Sequence, residues 1–240
     1  MKVVPISLTL VFFIFSGATH ASNAYNPVTF NLSTLFDFNP VKGPIKELKT
    51  IMKNRNGDEV YNLNMLVSED GCVQSVEIKD SSQGFVLSLK KEASELKGIM
   101  NDKPLAYMLD SKCNVTSSTG AFGDLGFKND SNGLIKDILS ANGKISSHFY
   151  DENRNLIKTE FYVSGKVASS NSITYPDANK MPLDYTLVNE NAYSGGYSAS
   201  SKCQYDDRKV PVKCIIKTHQ EKDKPDAITE LTVFTEASFY

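Results

Sequence analysis

Apolar and polar residues alternate with a period of two along much of this chain. Leu63, Met65 and Val67 alternate with Asn62, Asn64 and Leu66, and Val76 and Ile78 with Glu77 and Lys79. Ile157, Thr159, Phe161 and Val163 interleave with Lys158, Glu160 and Tyr162, and Val210, Val212, Cys214 and Ile216 with Lys209, Pro211 and Lys213. Side chains switch face at every residue of a strand, so the pattern predicts strands with one buried and one wet face, the usual antiparallel case. Pro211 has no N–H for a ladder, which puts its strand at an edge or at a bulge. Asn56-Gly57, Asp70-Gly71, Asn132-Gly133 and Asn142-Gly143 are dipeptides of two-residue hairpin turns. Asp151–Asn155 and Asp206–Lys209 read as longer turns. Gly133, Gly143 and Arg154 are spaced by one short strand each, as in a meander. Helix signals are sparse. Leu89–Met100 has helix-forming composition interrupted by Gly98, which predicts one short helix there. The Ser/Gly-rich stretches Ser164–Asn171 and Tyr193–Ser201 read as exposed loops. The expected fold is all-β, a mainly antiparallel meander of hairpins with at most one or two short helices, over a single domain spanning residues 22–240.

The N-terminus departs from this pattern. Lys2 precedes the mostly apolar run Ile6–Phe15 and the small residues Ser16-Gly17-Ala18-Thr19-His20-Ala21. One positive charge, a short apolar stretch and small residues at −3 and −1 describe a secretory signal peptide over residues 1–21, with Ala24 a second acceptable cut site. The run falls short of the ~20 apolar residues that span a bilayer as a helix, and no later segment approaches that length. The expected product is therefore an exported, periplasmic chain without a transmembrane helix. Loss of Lys2 takes the formal net charge from −2 to −3. That near-neutral balance argues against a nucleic-acid partner, which would need a basic face to neutralise phosphates.

Export predicts an oxidising compartment, and all four cysteines, Cys72, Cys113, Cys203 and Cys214, follow the leader. Cys203 and Cys214 flank a strand–turn–strand segment and should face each other across a hairpin. Cys72–Cys113 follows by elimination. Zinc is disfavoured, because the spacings are not those of metal knuckles and only His148 and His219 remain after processing.

Candidate chemistry is thin. Gly196-Tyr197-Ser198-Ala199-Ser200 approaches a nucleophile elbow but lacks its final Gly and a following helix. His148 has parity opposite to Ile145 and Phe149 and should point to solvent; His219 follows a strand end. Glu69-Asp70 and Asp206-Asp207 sit in turns, where Asp caps its own backbone. There is no calcium loop, P-loop or dinucleotide fingerprint. No catalytic, cofactor-binding or metal-binding residue is assigned, and no enzyme is expected. The most distinctive stretch is Leu35–Lys46. Phe36 and Phe38 could share one face of an extended segment, while Pro40, Gly43 and Pro44 would bend the chain and fix its approach to the first long strand. This segment is either an aromatic binding lip or a structural dock on the sheet, and the docking role is preferred.

The same stretch carries a resemblance. Phe36–Pro44, Leu66–Cys72, Lys112-Cys113, Leu183-Asp184-Tyr185-Thr186, Lys202–Asp206 and the terminal Tyr240 together resemble the YnfC family of uncharacterised bacterial cell-envelope lipoproteins. The resemblance covers most of the chain after the leader and implies an envelope location. It implies no activity and no cofactor. Such lipoproteins end their signal with an acylated Cys; here Ala18 stands at that place, so a soluble periplasmic protein without a lipid anchor is expected. The leading expectation is a non-enzymatic protein that binds an envelope component or ligand through its sheet face or loops. The alternatives are a periplasmic enzyme using carboxylates with His148 or His219, and a purely structural accessory.

Overall fold

The computed structural model describes residues 24–192, 195–220 and 228–240. The expected signal peptide and Ala18 lie outside these residues. One helix, α1 (Pro27–Phe36), precedes sixteen strands among the described residues. They are β1 (Ile45–Asn54), β2 (Glu59–Val67), β3 (Val73–Asp80), β4 (Phe85–Glu92), β5 (Glu95–Met100), β6 (Lys103–Leu109), β7 (Val115–Gly120) and β8 (Leu125–Asn129). The second half comprises β9 (Ile135–Ser140), β10 (Gly143–Tyr150), β11 (Leu156–Val163), β12 (Lys166–Thr174), β13 (Tyr185–Asn191), β14 (Tyr197–Tyr205), β15 (Pro211–Gln220) and β16 (Ile228–Phe239). Each strand pairs antiparallel with the next, and β16 returns to β1, so the all-β meander closes into a barrel and every described strand has a neighbour on both sides.

The inward face follows the alternation in the sequence. Thr50 pairs with Leu63, Leu63 with Ile78, and Ile78 with Leu87, and all are buried. Around the far wall the inward series runs through His148, Thr159, Asn171 and Asn189. It returns through Cys214, Val233 and Met52. The outward series carries ion pairs: Lys144 pairs with Asp137 at 2.8 Å, Lys158 with Glu160 at 2.7 Å and Lys217 with Glu230 at 3.4 Å. A membrane-spanning barrel has an apolar outer band around a polar lumen, and a Lys at the bilayer midplane costs it roughly 2–4 kcal/mol. The outward positions here mix these ion pairs with exposed apolar side chains such as Val188, Ile215 and Phe234.

Sixteen strands enclose more space than their side chains fill. At about 4.8 Å between strands and a usual tilt, a circular barrel would be roughly 30 Å across, against roughly 10–12 Å for a helix with side chains. The N-terminal segment occupies part of that lumen. Asn26 caps α1 by accepting from Val28 N (2.8 Å) and Thr29 N (3.3 Å), with Pro27 at the first helical position, and its own Nδ2 donates to Gly71 O (3.0 Å) in the β2–β3 turn. Asn31 then bridges to the opposite wall, donating to Gly133 O (2.8 Å) and accepting from Ile135 N (2.9 Å). Leu32 and Phe36 are buried in the main core, Phe36 edge-on to Tyr107. At Asp37 the backbone turns left-handed (φ 54°) and ends the helix. Phe38–Lys42 runs back to a bridge with Tyr25, and β1 begins.

Several local expectations change. Leu89–Met100 is not helical: it is the end of β4, a turn at Ala93 (φ 52°) and β5. Leu89 and Leu96 alternate inward, and Gly98 lies so close to Ser88 O that a Cβ would clash, which explains the glycine in an otherwise helix-forming run. Lys166–Thr174 and Tyr197–Tyr205 are strands whose small polar residues face a neighbouring strand on either side. The Asn-Gly turns are not mirror-image two-residue turns, because Asn56, Asn132 and Asn142 keep negative φ and only the glycines are positive. A shared device forms the Asn132-Gly133 turn and three others. Asp110, Asp130, Asp151 and Asp206 each accept the amides of the second and fourth residues that follow. The residue between those two, Cys113, Gly133, Arg154 or Lys209, takes the positive φ. Pro211 does open β15 beside a register shift in the β14–β15 pairing.

Candidate functional site

The lumen left beside α1 forms a cavity of about 580 Å³. One wall is the N-terminal segment, with Phe38, Asn39 and Pro40. The opposite wall is the inward face of the later strands, including Ile138, Ile173, Leu187, Ile216 and Leu231. The volume falls within the roughly 300–1,000 Å³ usual for small-molecule sites, and the wall is mainly apolar with a few polar groups.

The polar groups are unevenly placed. Asp37, at the turn that ends α1, lines the cavity and its side chain is exposed there. No hydrogen-bond or ion-pair partner for its carboxylate exists among the described residues. Burial, and then the charge of Asp80, push its pKa up. Asp80 ends β3 and is tied down by Ser82 N (2.8 Å), Ser82 Oγ (2.6 Å) and Gln83 N (3.0 Å). Tyr61 donates its hydroxyl to Phe36 O (2.9 Å), which fixes the last turn of the helix beside Asp37. Tyr185 packs against Tyr175 with ring centroids 6.3 Å apart, and burial followed by the Asp37 charge pushes its pKa up to about 12. Neither Lys nor Arg lines the cavity among the described residues.

His148 corrects its expected exposure. A register shift in the β9–β10 pairing between Lys144 and Ser146 breaks the simple alternation, so His148 faces inward opposite Thr159 while Phe149 faces out. Burial lowers its pKa to about 4, which keeps the ring neutral at physiological pH, and Ser146 Oγ lies 3.1 Å from Nε2. Among the described residues no carboxylate hydrogen-bonds the ring, so the wall holds a histidine and two aspartates without joining them into an acid–base pair. His219 and Ser198 are cross-strand partners on the outer face of the barrel, away from the cavity.

The remaining sequence candidates support the plug. Phe36 and Phe38 are buried on either side of the Asp37 turn rather than on one face of an extended segment. Gly43 (φ 106°) donates to Ala24 O (3.1 Å), and Pro44 O accepts from Tyr240 N (3.1 Å), so this corner ties the segment and the C-terminus to the start of β1. Cys72–Cys113 joins the β2–β3 and β6–β7 turns, and Cys203–Cys214 joins directly opposed residues of β14 and β15. Asn39 donates to Cys214 Sγ at 3.4 Å and so rests the returning segment on the second bridge. Sequence reading missed α1, Asp80, Tyr61 and Tyr185 as parts of a site. The available signals were Asn26-Pro27, a cap followed by a first-turn proline, and polar residues at inward parity beside Leu63 and Ile78.

The fold and the sequence each have known relatives. The solved structure of a porin-like protein from Bacteroides uniformis covers 81% of this chain and 96% of its own, with a TM-score of 0.54 and 12% identity, a likeness of fold alone. The UPF0257 lipoprotein YnfC of Salmonella heidelberg is 23% identical over 239 residues, covering 98% of this chain and 99% of the relative. Its counterpart in Salmonella typhimurium is 24% identical over 242 residues with the same coverage. The family model described as "Uncharacterised protein family (UPF0257)" matches residues 1–240, and the chain belongs to that family.

Proposed function

We propose that this is a non-enzymatic protein of the bacterial cell envelope that holds a small, largely apolar ligand inside its barrel. The supporting observation is the 580 Å³ cavity between the N-terminal segment and the later strands, in a barrel whose outer wall carries ion pairs. An apolar guest there leaves water for an apolar wall at about 25 cal/mol per Å² buried. The envelope location rests on the leader-like N-terminus and on relatives named as lipoproteins. With Ala18 where a lipid-bearing cysteine would stand, the protein works as a soluble periplasmic barrel, and its partner is the ligand rather than a membrane. The His148 ring is kept neutral by burial and takes no hydrogen bond from a carboxylate among the described residues, which favours binding over catalysis.

The test is binding of the neutral apolar probe N-phenyl-1-naphthylamine to the purified chain lacking residues 1–21, without detergent. Saturable binding at one site per chain is expected. An Ile173→Trp/Ile216→Trp variant, which fills the cavity from two strands, should weaken it by about tenfold or more, equivalent to about 1.4 kcal/mol. Binding that does not saturate, or that the filled variant retains at full strength, rejects the reading.

A further inference from the structure

We infer that the ligand held in the lumen is cationic: a molecule with an apolar body and an ammonium or similar basic group, for which Asp37 is the counter-ion. This rests on the binding reading above and deepens it. Among the described residues, Asp37 is the one carboxylate that lines the cavity at the end of α1 with no partner of its own, and the wall around it offers no Lys or Arg to neutralise it. Asp80, close behind, adds a second negative charge but is already held by Ser82 and Gln83, which leaves Asp37 to meet a guest.

The Asp37 carboxylate is exposed to the cavity and carries no partner, so a cation brought by the ligand can pair with it without displacing an existing contact. Tyr61 and Tyr185 line the same cavity and present aromatic surface, which favours cations over their ring faces. Asp37 lies one α1 length from the helix start, about 15 Å for ten residues at 1.5 Å each, so an elongated guest can lie along the helix with its charged end at Asp37. An anionic amphiphile would meet two like charges at that end.

The experiment compares decyltrimethylammonium, 1-decanol and decanoate, each below its aggregation concentration, by displacement of N-phenyl-1-naphthylamine from the intact chain lacking residues 1–21. The cation should bind about tenfold or more tighter than the alcohol, and decanoate weakest. Asp37→Asn should bring the ratio of cation to alcohol affinity close to one. Asn tolerates the left-handed backbone at this position, so the variant should fold, and its melting curve checks this. If decanol binds but the cation has no advantage, or the advantage survives in Asp37→Asn, the counter-ion role is wrong and the binding reading stands. If none of the three displaces the probe, or the probe itself does not bind, both fall.

Discussion

Acidification should destabilise this barrel through a single imidazole. His148 is buried on the inner wall, and burial lowers its pKa from 6.5 to about 4. The folded protein therefore keeps the ring neutral, while the unfolded chain takes up a proton below its ordinary pKa. The resulting stability is fully present above pH 6.5 and is lost as the pH falls toward about 4, below which the folded form is protonated as well. Each tenfold difference in proton affinity between the folded and unfolded chains is worth about 1.4 kcal/mol. The loss attributable to His148 is therefore about 3 kcal/mol, a large fraction of a typical domain's stability. Urea unfolding at several pH values between 7.5 and 4 measures it, with His148→Gln as the reference. Gln keeps an amide N–H for Ser146 Oγ but carries no titrating group. The difference in stability between the two proteins should change by about 3 kcal/mol across the window. Parallel pH profiles would refute both the burial argument and the inward placement of His148.

Three further outcomes follow from the packing. Gly98→Ala places a Cβ against Ser88 O, and should cost about 3 kcal/mol or prevent folding, as read by urea midpoints. Phe36→Ala removes a buried ring from between Phe85 and Tyr107 and should cost about 3–5 kcal/mol in the same assay. Replacing both cysteines of each bridge by Ser should cost about 4 kcal/mol for Cys72–Cys113, separated by 41 residues, and about 3 kcal/mol for Cys203–Cys214, separated by 11. Thermal melts that reverse this order would show that packing around Cys214, rather than chain entropy, decides the second value.

The wall of this barrel was legible where side-chain character alternates strongly. Leu63–Met65, Val76–Ile78 and Cys214–Ile216 announce both their strands and their inward faces. It was hidden in two situations. In β12 and β14 the residues are largely Ser, Ala and Asn, small and polar on both faces, so composition mimics a loop although the ladder is complete. In β4–β5 the helix-forming residues between Leu89 and Met100 outweigh the alternation locally, and only closure with β3 and β6 decides the matter. Barrel closure joins β1 to β16, a contact between chain ends that no local pattern encodes. The site was half visible. The Phe36–Pro44 segment stands out by composition, but its role as a plug depends on α1, and Asp37 becomes chemically notable only once a barrel surrounds it. The inward turn of His148 depends on one irregularity in register, which reverses parity downstream and is not marked by a Gly or Pro.

An amphiphile that enters the lumen, and not the outer wall, can be located directly. The sequence contains no Trp, so one introduced residue is a unique fluorophore. Leu187 lines the cavity, whereas the adjacent Val188 is exposed on the outer face. Titrating a brominated decyltrimethylammonium into the Leu187→Trp and Val188→Trp variants should quench the first saturably and leave the second near its starting intensity. Equal quenching of the two, or quenching confined to Val188→Trp, would contradict an internal binding site.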